Sequence, residues 1–207
     1  KDIAATVQQI TEEIMLKQVD HIYDLVDSEN LCMAGGVALN SVSNAVVEKN
    51  SEFENVWIQP AAGDSGGSLG AAIDRSQEPV GSMEDVYLGP EFSNNQIKKI
   101  LEKSGFDYEK ISSDLDEKIA EELVQGKIAA VFRGRMEWGP RALGNRSIIA
   151  DPRSEDIRDK INQKVKFRED FRPFAPTVLD EKASEYFDIE QDTESPYMLF
   201  VYDVKEN

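Results

Sequence analysis

Apolar residues recur at spacings of mostly three and four from Ile3 through Val7, Ile10, Ile14, Ile22 and Leu25. That period predicts one amphipathic helix over Asp2–Val26. A short apolar run, Leu31–Ala34, follows and ends in Gly35-Gly36, after which Val37–Lys49 reads as a second helix. The plan then repeats. Val56–Ile58 reads as a strand, Pro60–Gly67 as a turn of small residues, and the chain through Ile73 as a helix. Two strand–turn–helix units in succession predict an α/β layer.

The polar stretch 76–90, with Pro79, Gly81, Gly89 and Pro90, breaks the pattern and marks a connection. Beyond it, Ser93 is placed to N-cap a helix over Asn94–Ser104, and a further helix over Asp114–Gln125 ends at Gly126. Ile128–Phe132 reads as a buried-type strand, 133–145 as a loop, Arg146–Ala150 as a strand and Asp156–Lys164 as a helix. Phe174–Leu179 is strand-like, Asp180–Phe187 is a short helix, and Met198–Tyr202 is an apolar, strand-like run near the end. The chain opens directly in helical periodicity without an initiator Met, so it is read as a piece of a longer protein. The expected fold class is α/β (mixed α+β), with one domain over 1–76, a linker over 77–92 and a second domain over 93–207.

Charge changes this picture. The chain has 207 residues and a net charge of −17, which disfavours non-specific contact with nucleic acid or an anionic membrane. No apolar run approaches the ~20 residues of a membrane span, and 1–11 lacks the apolar stretch of a signal peptide. The single cysteine, Cys32, excludes an intrachain disulfide, fits a reducing, cytoplasmic compartment, and reads as inert core in its apolar strand. His21 is the only histidine and reads as structural, so this chain alone cannot build a multi-histidine metal site.

Between Lys127 and Arg172 the charge reverses. Twelve basic and seven acidic residues give a local net of +5, whereas the rest of the chain holds 11 basic and 33 acidic residues, a net of −22. Arg133, Arg135, Arg141 and Arg146 sit in or beside a loop that contains Gly134, Gly139 and Gly144. Guanidinium groups match phosphate oxygens two at a time, and glycines let backbone N–H groups approach a ligand. The loop therefore reads as an anion site. Arg158 and Lys160, among Glu155, Asp156 and Asp159, read instead as a paired, solvated helix face. Two glycine turns are weaker signals. Ala34–Asn40 places Gly35-Gly36 between a strand and a helix start, as an anion site would, and as many structural turns do. Asp64, within Gly63–Gly67, is placed either to bind a metal or to cap a helix.

Together these segments resemble a known family. Arg133-Gly134-Arg135-Met136-Glu137-Trp138-Gly139-Pro140-Arg141-Ala142-Leu143-Gly144-Asn145-Arg146-Ser147-Ile148 is similar to the signature loop of the O-carbamoyltransferases of nodulation and antibiotic biosynthesis. Phe171-Arg172-Pro173-Phe174-Ala175-Pro176 resembles their second signature, and the two glycine turns resemble two upstream motifs in the family's order. The resemblance implies the end of an actin-like (ASKHA-type) ATPase domain followed by a truncated domain of the threonylcarbamoyl-adenylate-synthase-like kind. It implies transfer of a carbamoyl group from carbamoyl phosphate, through carbamoyl adenylate made with ATP in the downstream domain, to an acceptor hydroxyl. Arg141 and Arg146 would be catalytic. Arg133, Arg135, Lys166, Arg168 and Arg172 would join them in facing carbamoyl phosphate and the ATP phosphates. Gly35, Gly36, Asn40, Gly63 and Gly66 would line the nucleotide, and Asp64 would help hold a divalent metal, Fe2+ or Mg2+. The implied partners are these small molecules, with neither nucleic acid nor membrane; a homodimer is left open. The family's metal-binding histidines lie upstream of this chain, so the piece by itself is expected to be inactive. The competing readings are an adenylate-forming relative acting in threonylcarbamoyl transfer or hydrogenase maturation, and a non-catalytic anion-binding module.

Overall fold

A computed structural model describes residues 2–78, 81–191 and 193–205. Pro79, one of the residues marking the connection, lies outside the described residues, as do Lys1 and Asn207 at the outer limits of the two expected domains. The chain divides into two compact units: Lys1–Val86 with Trp138–Arg141 and Val178–Asn207, and Tyr87–Glu137 with Ala142–Thr177. The units therefore do not follow a single boundary at 77–92, and the arginine-rich loop itself is shared out between them.

In the first unit, helix α1 (Asp2–Tyr23) buries Met15 and Val19, one turn apart, against helix α2 (Ser41–Asn50). These two join Leu31, Val47 and Phe53 in one core cluster. The apolar residues that set the predicted period, Ile3, Val7, Ile10 and Ile14, lie on a different stripe and are exposed. Strand β1 (Asn30–Met33) pairs in parallel with β2 (Asn55–Ile58), with Leu31 opposite Val56 and Met33 opposite Ile58. A parallel pair needs a crossover, and helix α2 (Ser41–Asn50) supplies it. The helix expected over Val37–Lys49 is split. A 3-10 turn covers Gly36–Leu39, and Asn40 then caps α2 by accepting the Ser43 N–H, which starts a new helix instead of continuing the turn. Cys32 is exposed, because its neighbour Leu31 takes the inward position of β1. That corrects the expectation of a core cysteine.

Met198–Tyr202 is not a strand. Met198 sits at φ 55°, a left-handed conformation that interrupts an extended run. The segment docks through Leu199, which is 2% exposed and packs with Ala38, Ile58 and Ala62. Asn44 Nδ2 donates to the Leu199 carbonyl at 2.9 Å. Helix α3 (Asp64–Arg75) follows the turn after β2.

The second unit contains α4 (Asn94–Ser104) and α5 (Leu115–Val124). Strand β3 (Ala129–Phe132) pairs antiparallel with β4 (Arg146–Ile149), and Phe132 faces Arg146. Strand β3 was expected to be buried, but it alternates half-buried and exposed positions, as a strand with one covered face does. Helix α6 (Ile157–Ile161) widens into a π-helical turn, Asn162–Lys166, where one continuous helix was expected. Phe174–Leu179 has no regular structure, and Pro176 lacks the N–H a strand ladder needs. The short helix expected over Asp180–Phe187 is a 3-10 turn, Asp180–Lys182, followed by α7 (Ala183–Tyr186) in the first unit.

Ser93 forms a complete capping box on α4: its side chain accepts the Gln96 N–H, and Gln96 Oε1 accepts the Ser93 N–H at 2.8 Å. Replacing Ser93 with alanine is expected to cost about 1 kcal/mol of stability, read as a lower urea midpoint with an unchanged slope.

Candidate functional site

In the first unit, the turns after the two parallel strands come together. Gly35 N–H donates to the Ala62 carbonyl at 2.7 Å, which ties the Gly35-Gly36 turn to the turn after β2. The carboxyl ends of parallel strands are where α/β sheets bind ligands. Gly35 has φ +109°, a conformation that a residue with a Cβ adopts only with strain. A Cβ at Gly36 would meet nothing within 4 Å, so that glycine borders open space.

The segment Trp138–Arg141 belongs to this unit. Trp138 N–H donates to the Val86 carbonyl at 2.7 Å, and Gly139, at φ +123°, lies against Pro60 and Ala61. Arg141 Nη2 then donates to the Leu39 carbonyl at 2.8 Å, at the end of the 3-10 turn. Arg141 Nε is buried and has no hydrogen-bond partner among the described residues. Burial lowers the pKa of its guanidinium, yet an arginine stays charged at neutral pH. The result is a half-buried cation with an unmet donor, held at the end of the 3-10 turn.

Asn40 and Gly66 have structural work here. Asn40 Oδ1 caps α2, and its Nδ2 donates to Gln8 Oε1 at 2.9 Å. A Cβ on Gly66 would meet the Ala61 carbonyl oxygen at 2.5 Å, so only glycine fits. Gly63 is the N-cap position of α3, and Asp64 is the first helical residue, exposed, with no capping hydrogen bond. The capping role considered for Asp64 therefore falls to Gly63. Among the described residues, no group of three or more His, Cys, Asp or Glu side chains could hold a metal ion. Asp64 could supply one of a metal's ligands, and the other described residues do not complete a metal site around it.

The second unit holds the rest of the loop. Glu137 is 7% exposed, and its Oε1 accepts the backbone N–H groups of Leu143 (2.7 Å), Asn145 (2.8 Å) and Arg146 (3.2 Å). Burial would raise the Glu137 pKa, but the backbone N–H groups of Leu143, of Glu137 itself, of Asn145 and of Arg146 outweigh it and hold the carboxyl below its ordinary value. The backbone cradle expected to meet a phosphate is thus filled by the chain's own carboxylate.

The arginines of this loop divide by what they already hold. Arg146 stacks its guanidinium 3.6 Å above the Phe132 ring and donates to the carbonyls of Arg133 (2.6 Å), Asn145 (2.8 Å) and Gly134 (3.3 Å). Arg135 donates to the carbonyls of Gly89 (3.1 Å) and Leu88 (2.9 Å). Both brace the loop. Arg133 donates only through Nε, to Asn145 Oδ1 at 3.3 Å, so its Nη nitrogens have no partner among the described residues. Farther along, Arg168 is held by Asn162 Oδ1 at 2.7 Å and lies over Phe174. Arg172 pairs with Glu169 at 2.9 Å, and Lys166 is exposed at the end of the π turn. Among the described residues, Arg141 keeps a buried nitrogen without a partner and Arg133 keeps both Nη nitrogens without one.

These segments match family models in the same order. The carbamoyltransferase N-terminus model matches residues 1–73, and the carbamoyltransferase C-terminus model matches residues 120–207. The chain belongs to the carbamoyltransferase family. It is 46% identical to the uncharacterized protein sll1178 of Synechocystis over 99% of this chain and 35% of that protein. It is 39% identical to nodulation protein NolO of Bradyrhizobium diazoefficiens over 100% of this chain and 39% of that protein. A third relative, the uncharacterized protein MJ1058 of Methanocaldococcus jannaschii, is 39% identical over 91% of this chain and 32% of its own length. The chain therefore spans well under half the length of these relatives.

Two organising residues of this carbamoyltransferase-family chain were not singled out from sequence. Glu137 had a usable signal, since it is the only acid between Lys127 and Ala150. Asn162, fully buried, had none: its Nδ2 donates to the Asp170 (3.3 Å) and Arg172 (3.0 Å) carbonyls and so shapes the turn that carries Arg168. No helix among the described residues is long and apolar enough to cross a membrane.

Proposed function

We propose that this chain is part of an enzyme that moves a carbamoyl group from carbamoyl phosphate to an acceptor hydroxyl, with ATP forming carbamoyl adenylate on the way. The balance requires one water. Carbamoyl phosphate, ATP and water give carbamoyl adenylate, phosphate and pyrophosphate. The acceptor oxygen then bonds to the carbamoyl carbon, its proton is lost, and AMP leaves.

The observation that carries the reading is Arg141: a half-buried guanidinium with an unpartnered Nε, at the Leu39 carbonyl. A charged donor already stripped of water binds a phosphate or carbamoyl oxygen more strongly than an exposed one. Arg133 of the second unit, with its free Nη pair, is a phosphate ligand in its own right in this proposal. Gly35, Gly36 and Gly63 line the nucleotide side. Arg135 and Arg146 act by holding the loop backbone, which shifts them from direct phosphate contact to support. Carbamoyl phosphate, ATP and a hydroxyl acceptor are the proposed ligands, and a cytoplasmic setting is proposed with them.

The test is calorimetric titration of carbamoyl phosphate into the full-length protein, with inorganic phosphate as control, for wild type and Arg141→Ala. One charge-assisted contact is worth about 1.5–3 kcal/mol, so Arg141→Ala should bind carbamoyl phosphate roughly 10- to 100-fold more weakly. Equal affinity in wild type and variant would overturn the assignment of Arg141.

A further inference from the structure

Glu137 is the one acid in the basic loop, and it is almost wholly buried there. Its charge is not paired with an arginine. Instead, a single oxygen, Oε1, collects three backbone N–H groups, from Leu143, Asn145 and Arg146. Such converging N–H groups form an anion cradle. Gly144, at φ +110°, gives the turn its shape, and Gly144 N–H donates to Ser147 Oγ at 2.9 Å instead of to the carboxylate. Further bonds hold the same stretch: Tyr87 Oη donates to the Leu143 carbonyl (2.8 Å), and Asn145 Nδ2 donates to the Arg135 carbonyl (2.7 Å).

We infer that Glu137 is the positioning residue of the arginine loop, an internal anion that fills the loop's own backbone cradle and so leaves recognition of the substrate anion to arginine side chains. Two consequences follow from the geometry. The turn at Leu143–Arg146 keeps its shape without a ligand, so Arg133, tethered to Asn145 through both backbone and side chain, is already placed when substrate arrives. An exogenous carboxylate or phosphate also meets a filled cradle, which favours ligands that engage guanidinium groups. The link to carbamoyl phosphate rests on the proposed function; the filled cradle does not.

The test compares full-length wild type with Glu137→Ala and Glu137→Gln. Amide hydrogen exchange at Leu143, Asn145 and Arg146 is measured first. Carbamoyl phosphate affinity is then measured with and without acetate, using chloride at equal ionic strength as control. Glu137→Ala should speed exchange at those three amides at least tenfold and weaken carbamoyl phosphate binding about tenfold, and acetate should reverse part of both changes by occupying the emptied cradle. Glu137→Gln keeps an oxygen acceptor but no charge, and its changes should be clearly smaller. It also keeps the test decisive if Glu137→Ala does not fold. Unchanged exchange at the three amides in Glu137→Gln and Glu137→Ala alike would overturn the cradle. Faster exchange with unchanged affinity would overturn the positioning role. If wild type does not bind carbamoyl phosphate at all, the proposed function fails, and exchange with acetate reversal still decides the cradle by itself.

Discussion

Asn44→Asp is expected to destabilise the first unit by about 3–5 kcal/mol, the range for a buried charge left without a partner. Asn44 is completely buried, and its Nδ2 donates to two carbonyls at 2.9 Å, those of Ala38 and Leu199. An aspartate there points oxygen at oxygen in a site with no donor to spare; even the existing Oδ1 has no partner among the described residues. The cost should depend on pH with a definite sign. The new carboxyl would have a folded-state pKa above its unfolded value of about 3.9. The folded variant would therefore bind its proton more readily than the unfolded chain, and the destabilisation should shrink as pH falls. Denaturant melts of wild type and variant at pH 8 and pH 5 check this. A difference between the two proteins that is constant across that range would contradict it. Because Ala38 lies in the 3-10 turn that ends at the carbonyl held by Arg141, anion binding should weaken along with stability.

Gly66→Ala is expected to have the next largest effect. The added methyl would sit 2.5 Å from the Ala61 carbonyl oxygen and 3.4 Å from its carbon, and a backbone group cannot turn aside as a side chain can. Relief requires α3 to move away from the turn after β2. Overpacking of this kind costs about 1–3 kcal/mol. It would also disturb the Ala62 carbonyl that accepts the Gly35 N–H, so the loss of nucleotide or carbamoyl phosphate affinity should exceed what reduced folding alone explains. Measuring both stability and affinity separates the two effects. Gly36→Ala is the internal control: a Cβ there meets nothing within 4 Å, so stability should be nearly unchanged.

Local patterns were readable wherever a local cause governs. The Ser93 cap, the limits of α4 and the positions of β1, β2 and β4 follow from residues close together in the chain, and the structure agrees to within a residue or so. Apolar runs misled where the partner lies far away in sequence. Met198–Tyr202 looks like a strand by composition, yet it is held by Leu199 against residues more than a hundred positions earlier, and Met198 is twisted out of extended geometry. Cys32 reads as core from its neighbours, but in a strand of alternating burial only one of two adjacent apolar residues faces inward.

For the site, the sequence by itself determined which chemistry is present: a basic, glycine-rich loop in an acidic chain, two glycine turns after strands, and motifs long enough to identify a carbamoyltransferase family. The tertiary structure alone decided how each charge is used. Four loop arginines look equivalent in sequence, because a guanidinium's identity says nothing about which carbonyls it will meet. Folding commits Arg135 and Arg146 to backbone oxygens, fills the loop's N–H cradle with Glu137, and leaves Arg141 half-buried with an unmet donor. Arg135 and Arg141 meet carbonyls 46 and 102 residues away, and even Arg146 and Glu137 meet partners 13 and 8 residues away across a turn, a closeness in space that the order of residue types does not encode.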